Sequence, residues 1–249
     1  PERRGVRAPL ARSASLVVPM KDEERALPHL LDVALEALPR HVADWEIVLV
    51  DDASTDGTTA AAESRASVEP RIRLVRHATN RGLGGALKSG FAAAAKEWVL
   101  YSDCDLPWDL DETGRLFRAA ELTGADVVSG YRHDRTGEGT LRTLYSFLYN
   151  GLVHAAFAFP IRDVNFSCKL VRRRLLEGLP LESEGSFIDA ELLVRLRNRG
   201  AVIQQVGLDY FPRTRGVSTL SSPRTILRIL RDLVRLAPAL RAERRRLAR

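Results

Sequence analysis

The chain has 249 residues, 45% of them apolar and 28% charged, with a formal net charge of +6, which is enough length for one α/β domain with a substantial core. Its two cysteines, Cys104 and Cys168, are too few and too far apart for a disulfide framework and fit a reducing cytosol, and no stretch reaches the roughly 18 apolar residues that a membrane span requires. Nine arginines against two acids lie in 224–249, a local balance of +7 that leaves the rest of the chain at about −1, so the body lacks the basic groove of a general nucleic-acid binder.

Residues 1–12 are a basic extension with no apolar core behind it, unlike a signal peptide. Leu16-Val17-Val18-Pro19 predicts a short strand stopped by proline, and the spacing of Leu27, Leu30, Leu31, Ala34, Leu35 and Leu38 predicts an amphipathic helix over 23–38. A second strand over 45–50 runs into Asp51-Asp52-Ala53-Ser54-Thr55-Asp56-Gly57-Thr58, an apolar run of the kind covered on both faces that ends in acids and helix-capping residues. Helix 58–67, strand 72–75, helix 84–95, strand 98–101, helix 109–122 and strand 126–129 follow. Strand alternating with helix predicts a mostly parallel sheet whose ligand crevice lies beyond the carboxyl ends of its strands. Asp51, Asp52, Asp103 and Asp105 all fall at such ends, and their convergence marks a candidate site.

The run Leu100-Tyr101-Ser102-Asp103-Cys104-Asp105 carries the sharpest chemistry. Side chains two positions apart in an extended segment share a face, so Asp103 and Asp105 project together. Such a pair is either an acidic turn or a seat for Mg²⁺ or Mn²⁺, hard ions that take one or two carboxylates and fill the remaining positions with phosphate and water. The loop Asn80-Arg81-Gly82-Leu83-Gly84-Gly85-Ala86-Leu87-Lys88-Ser89 lacks the glycine that a P-loop needs directly before Lys-Ser, and it follows the third strand, where a dinucleotide fingerprint does not belong. It reads as a flexible helix entry, or as bare backbone open to a sugar or phosphate near a helix N-terminus. Residues 141–159 predict a helix apolar around much of its circumference, suited to a core or to a bilayer interface, with His154 packed or on the surface. A helix over 187–198 carries Asp189 and Glu191, acids favourable to the helix dipole near its start. In the tail, Ile226, Ile229, Leu230, Leu233, Ala237 and Leu240 make one stripe opposite Arg224, Arg228, Arg231 and Arg235, with a kink expected at Pro238. Such a helix lies on an anionic membrane or docks its leucines on the body.

In order, Val18-Pro19-Met20-Lys21-Asp22-Glu23-Glu24, the Asp51-to-Thr58 turn, Asn80-Arg81-Gly82 through Lys88, Asp103-Cys104-Asp105 and Ser129-Gly130-Tyr131-Arg132 resemble the family 2 glycosyltransferases of GT-A fold, most of all the polyprenyl (dolichyl) phosphate mannosyl- and glucosyltransferases. Residues 163–172, residues 187–193 and Arg213-Thr214-Arg215-Gly216-Val217-Ser218 extend the likeness. The resemblance implies an α/β GT-A domain over 13–220 with a basic amphipathic tail over 221–249. It implies inverting, metal-dependent transfer of a hexose, mannose or glucose, from a nucleotide sugar of the GDP-mannose or UDP-glucose type to a polyprenyl phosphate, by a cytoplasmic enzyme peripherally attached to the membrane. It places Pro19, Glu23 and Asp52 at the base and ribose, Lys88 at the substrate, Asp103 on the sugar-nucleotide side of the metal site and Asp105 on the Mg²⁺ or Mn²⁺ itself. Arg132 and Arg213 would meet charge developing on the leaving diphosphate, Ser218 would donate to phosphate, and Asp189 or Glu191 would face the acceptor as base or orienter. The chain has Lys21 and Asp22 where the family usually has an aromatic residue and Asn. Two other readings stay open: a transferase for a soluble hydroxyl acceptor, and a silent nucleotide-sugar or membrane-binding module, against which the intact Asp103 and Asp105 pair counts. The absence of Q-x-x-R-W argues against a processive polysaccharide synthase.

Overall fold

A computed structural model describes residues 10–134, 140–211 and 223–247. Its first half runs β1 (Leu10–Met20), α1 (Leu27–His41), β2 (Val42–Asp51), α2 (Thr58–Val68), β3 (Ile72–Arg76), α3 (Gly82–Ala93) and β4 (Trp98–Ser102). The second half runs α4 (Thr113–Thr123), β5 (Val127–Arg132), α5 (Thr140–Phe157), β6 (Cys168–Arg172), α6 (Ile188–Asn198), β7 (Ile203–Leu208) and α7 (Pro223–Leu247). The strands form one sheet in the order β3-β2-β1-β4-β6-β5-β7. Every pairing is parallel except those of β6, which runs antiparallel to β4 and to β5.

Alternation along the central strands explains why they are apolar throughout. Leu16 and Val18 pack with Leu30, Leu38 and Phe117 on one face of the sheet, while Val17 packs with Leu87, Phe91 and Leu192 on the other. Both faces are covered, so a polar side chain in mid-strand has no route to water. The exceptions at the start of β1 are paired. Ser15 Oγ donates to Glu46 Oε1 at 2.6 Å and accepts from the amide of Lys96 at 3.1 Å, and Ser13 Oγ accepts from the amide of Glu97 at 3.0 Å. Those bonds let β1 begin well before the expected residue 16. Conversely, α1 begins at Leu27 and not at 23: the Ala26 and Leu27 amides close one turn on the Glu23 carbonyl at 3.0 and 2.9 Å, but Pro28 has no amide to carry the ladder on from Glu24 and instead sits in the first turn of the helix. Strands β6 and β7 have no counterpart among the expected elements.

The expected tail helix is present as α7 and continues past Pro238 to Leu247. Ile229, Leu233, Leu236, Ala237 and Leu240 are buried in the same apolar layer as α6, so the leucine stripe docks on the body, with Leu230 38% exposed at its margin. Helix α5 is buried along one side only: Val153 and Phe157 face the core, while Phe147 is 74% exposed and Leu144, Leu148 and Leu152 are exposed with it. Among the described residues no helix is long and apolar enough to cross a membrane.

Candidate active site at the carboxyl ends of the strands

Strands β1, β2 and β4 run the same way, so the segments that follow them leave the sheet from one edge. Beyond Val17, β1 has parted from β4 and pairs only with β2, which is where Pro19 can sit without costing a ladder bond. The turn after β2 is tied to the turn after β1. Asp22, in the left-handed region at φ 56°, accepts the Thr55 amide at 2.7 Å, and those Thr55 bonds hold its carboxyl below the usual range against burial. Lys21 Nζ donates to the carbonyl of Ala53 at 2.9 Å, so the residue that replaces an aromatic in the resembled family closes this turn. Asp51 is buried and caps its own turn by accepting from the Ser54 amide at 2.9 Å and from Thr59 Oγ1. Burial pushes its pKa up, but those bonds outweigh it and hold the group below the ordinary range. The Glu23 amide donates to Thr58 Oγ1 at 2.8 Å.

Asp52 faces a different set of groups. Its Oδ1 lies 2.7 Å from Nδ1 of His77 and accepts the amide of Arg81 at 2.8 Å, while Nε2 of His77 lies 2.8 Å from Ser89 Oγ. His77, the residue immediately after β3, is a member of the site that sequence reasoning missed; its position at a strand end was the available signal. Lys88 is half-buried on α3, beside Ser89.

The pair after β4 sits in a tight turn. Leu106 adopts φ 50°, uncommon for a branched residue, and the buried indole of Trp108 donates to the carbonyl of Ser167 at 3.0 Å, pinning the turn to the segment before β6. The hydroxyl of Tyr101, fully buried, donates to Asp103 Oδ1 at 3.3 Å. Burial, then Asp103, Asp189 and Asp105, push the tyrosine well above its usual pKa, so these three carboxylates act on one hydroxyl. The residue that answers them is Lys169 of β6, buried without exposure. Its Nζ is 2.7 Å from Asp189 Oδ1, donates to the Phe166 carbonyl at 2.7 Å and lies 5.5 Å from the centre of the Tyr101 ring. Burial raises the Asp189 pKa, Lys169 opposes that shift, and Asp103 and Asp163 add to it. Asp163 in turn takes both Nε and Nη2 of Arg132 at 2.7 Å in a buried bidentate pair, with the guanidinium 5.3 Å from the Tyr210 ring.

Glu191 stands apart from this cluster. Its fully buried carboxylate accepts the amide of Glu182 at 2.9 Å, the amide of Ser183 at 2.7 Å and Nε of Arg195 at 2.8 Å. It thereby fixes the segment against which the glycine loop packs. The Gly84 amide donates to the Glu184 carbonyl at 2.9 Å, and a Cβ on Gly84 would lie 2.2 Å from the Ser183 carbonyl oxygen. Gly82, at φ +72°, would meet the Glu184 carbonyl in the same way. Close backbone packing accounts for these two glycines. Arg213 and Ser218 lie outside the described residues.

As a metal seat, the donor chemistry of Asp103 and Asp105 fits a hard divalent ion: two carboxylates leave one strand end inside a cluster that also holds Asp163 and Asp189 against the cations of Lys169 and Arg132. Among the described residues no group of three or more His, Cys, Asp or Glu side chains is arranged to hold a metal alone, so phosphate and water would complete such a shell.

Comparison with known proteins places this architecture. The chain is 32% identical over 167 residues to undecaprenyl-phosphate 4-deoxy-4-formamido-L-arabinose transferase of Aeromonas hydrophila, covering 66% of this chain and 50% of that one. It is 28% identical over 222 residues to dodecaprenyl-phosphate galacturonate synthase of Rhizobium johnstonii, covering 88% and 65% respectively. The chain spans 33% to 65% of the length of the curated relatives it matches. The fold is that of the mannosyltransferase from Pyrobaculum calidifontis solved with GDP-Man and Mn²⁺, with a TM-score of 0.66 at 21% identity over 94% of this chain and 69% of that one. Residues 15–179, which carry Asp52, Asp103 and Asp105, match the family model for glycosyl transferase family 2, and the chain belongs to that family.

Proposed function

We propose that the chain transfers a hexose with inversion from a nucleotide sugar to a polyprenyl phosphate at a membrane surface. The observation that carries the choice of acceptor is the state of the two acids on α6. A hydroxyl acceptor is a poor nucleophile and needs a carboxylate within hydrogen-bond reach to take its proton. Asp189 is 2% exposed and paired with Lys169 at 2.7 Å, and Glu191 has no exposure and holds two loop amides and Arg195. A lipid phosphate is already an anion and asks for positioning and cations. The names of the two curated relatives, an undecaprenyl-phosphate 4-deoxy-4-formamido-L-arabinose transferase and a dodecaprenyl-phosphate galacturonate synthase, support the same choice.

In this reading Asp52 holds the base of the nucleotide sugar, with Pro19 and Glu23 beside it, and Lys88 faces the substrate. Asp105, with Asp103 on the sugar-nucleotide side, would hold Mg²⁺ or Mn²⁺, which supplies neutralisation of the departing diphosphate. Arg132 holds Asp163 through Nε and Nη2, and this reading assigns the phosphate contacts to Arg213 and Ser218. Membrane contact is supported by the exposed apolar row of α5 and by Leu227, Leu230 and Val234, exposed on α7 among the exposed arginines Arg228, Arg231 and Arg235.

The test is transfer of labelled hexose from a panel of nucleotide sugars, with Mn²⁺ or Mg²⁺, to polyprenyl phosphate in detergent and in parallel to soluble glycan acceptors. Label in the lipid, lost in Asp105→Asn and in excess chelator, is the expected result. Label only in soluble acceptors, or full turnover in chelator, would overturn the reading.

A further inference from the structure

The array of Asp52, His77, Arg81 and Ser89 does more than bury a carboxylate. The Asp52 and His77 side chains are only 6% and 5% exposed, and each residue is also anchored by its backbone: the Asp52 amide donates to the Met20 carbonyl and the His77 amide to the Asp51 carbonyl, both at 2.9 Å. An ionised carboxylate only accepts, so Nδ1 of His77 carries the proton of the 2.7 Å contact. Oδ1 of Asp52 therefore receives two donors, His77 Nδ1 and the Arg81 amide. Oδ2 accepts from nothing among the described residues, yet it is not one of the sealed, unsatisfied atoms. The carboxylate is held in one orientation and offers a single oxygen.

The position of that oxygen matters as much as its number. Asp52 follows β2 and Asp103 follows β4, with β1 between them, so the two lie about 10 Å apart, two strand spacings. A nucleoside diphosphate spans that interval, with its base edge at one end and its diphosphate at the other. Guanine presents N1–H and the N2 amino group side by side and is matched by both oxygens of a carboxylate. Uracil and thymine present one N3–H between two carbonyls and are matched by one oxygen. A donor left unpaired in a desolvated site forfeits about tenfold or more in affinity.

We propose that His77 is a specificity-determining positioning residue: by occupying Oδ1 of Asp52 it leaves one acceptor for the N3–H of a uracil or thymine base, so the donor is a uridine or thymidine diphosphate sugar and not a guanosine one. This rests on the reading that a nucleotide sugar binds with its base at Asp52.

The experiment is calorimetric binding of UDP, dTDP and GDP, each with Mn²⁺, to the full chain and to the variants His77→Ala, His77→Asn and Asp52→Asn. The wild type is expected to bind UDP or dTDP at least about tenfold more tightly than GDP. His77→Ala, which frees the carboxylate to turn, is expected to bring that ratio towards one. His77→Asn, which returns an N–H to the place of Nδ1, is expected to restore it, and Asp52→Asn to weaken the pyrimidine nucleotides most. GDP bound as tightly as UDP by the wild type, or an unchanged ratio in a folded His77→Ala, would overturn the base assignment while leaving the transferase reading standing. Should His77→Ala fail to fold, the wild-type ratio and His77→Asn decide the matter. Failure of all three nucleotides to bind would remove both readings together.

Discussion

Replacing Lys169 by Met tests the electrostatics of the site at its most buried point. The side chain has no exposure, and its ammonium is 2.7 Å from an Asp189 carboxylate that is itself 2% exposed. Methionine keeps the volume and removes the charge, leaving Asp189 buried near Asp103 and Asp163, both of which already push its pKa up. Breaking one side of a buried pair costs about 3–5 kcal/mol, whereas replacing both sides by apolar groups is often neutral. For a chain of this size each kcal/mol is worth about 2–4 °C, so Lys169→Met should melt roughly 6–20 °C lower at neutral pH, and Lys169→Met with Asp189→Leu should recover most of that loss. The sign of the pH dependence follows from the shift. The folded pKa of Asp189 lies above its unfolded value, so the penalty for its charge is absent at low pH and grows as pH rises through the carboxylate range. Removing Lys169 raises the folded value further, and the deficit of the single variant should shrink as pH falls towards the ordinary range of a free carboxylate. Urea unfolding from acid to neutral pH reads this directly. A loss under about 1 kcal/mol, independent of pH and not rescued by the double variant, would refute the claim that Lys169 holds Asp189.

Other consequences of the geometry are open to measurement. Gly84→Ala should cost about 3 kcal/mol in urea unfolding, because the new Cβ meets backbone atoms of Ser183 and Glu184, while Gly124→Ala, left-handed at φ 66° but facing open space, should cost about 1 kcal/mol. Equal costs would show that crowding by the 183–184 segment is unimportant. Glu191→Gln turns an amide donor towards the amides of Glu182 and Ser183 and should cost about 1–3 kcal/mol, with faster hydrogen exchange at both amides; unchanged protection there would remove Glu191 as the anchor of that segment. Phe147→Asp on the exposed row of α5 should lower binding to anionic vesicles about tenfold without lowering the melting temperature, and undiminished binding would detach α5 from the membrane reading.

The first half of the fold was legible because its strands are covered on both faces. Leu16, Val17 and Val18, and Ile47 to Val50, have no exposure at all, so their composition had to be apolar throughout, and the acids at their ends stood out against it. The second half hid two strands for opposite reasons. β6 is five residues long and carries Lys169 at its second position, a residue whose buried charge is met by Asp189, twenty positions later in sequence. β7 lies at the sheet edge and contains Gln204 and Gln205, half-buried, so neither period nor apolarity marks it. The glycine loop was legible as a close approach of backbone, but its partner, the carbonyls of Ser183 and Glu184, is a hundred positions away and leaves no local trace.

The two acids of α6 show how much more the local geometry could have said. A helix turns about 100° per residue, so residues two apart point about 200° away from each other, and Asp189 and Glu191 could never have faced one acceptor together. One of them had to point at the sheet and the other away from it. Choosing between them requires knowing that β6 delivers a lysine to one side and that the amides of Glu182 and Ser183 arrive on the other. With that known, the assignment inverts the usual inference from an acid near a proposed site. Asp189 is paired with Lys169 and Glu191 is spent on holding a loop, so in the proposed reading neither is left to take a proton, and the acceptor that suits such a site is one that brings its own negative charge.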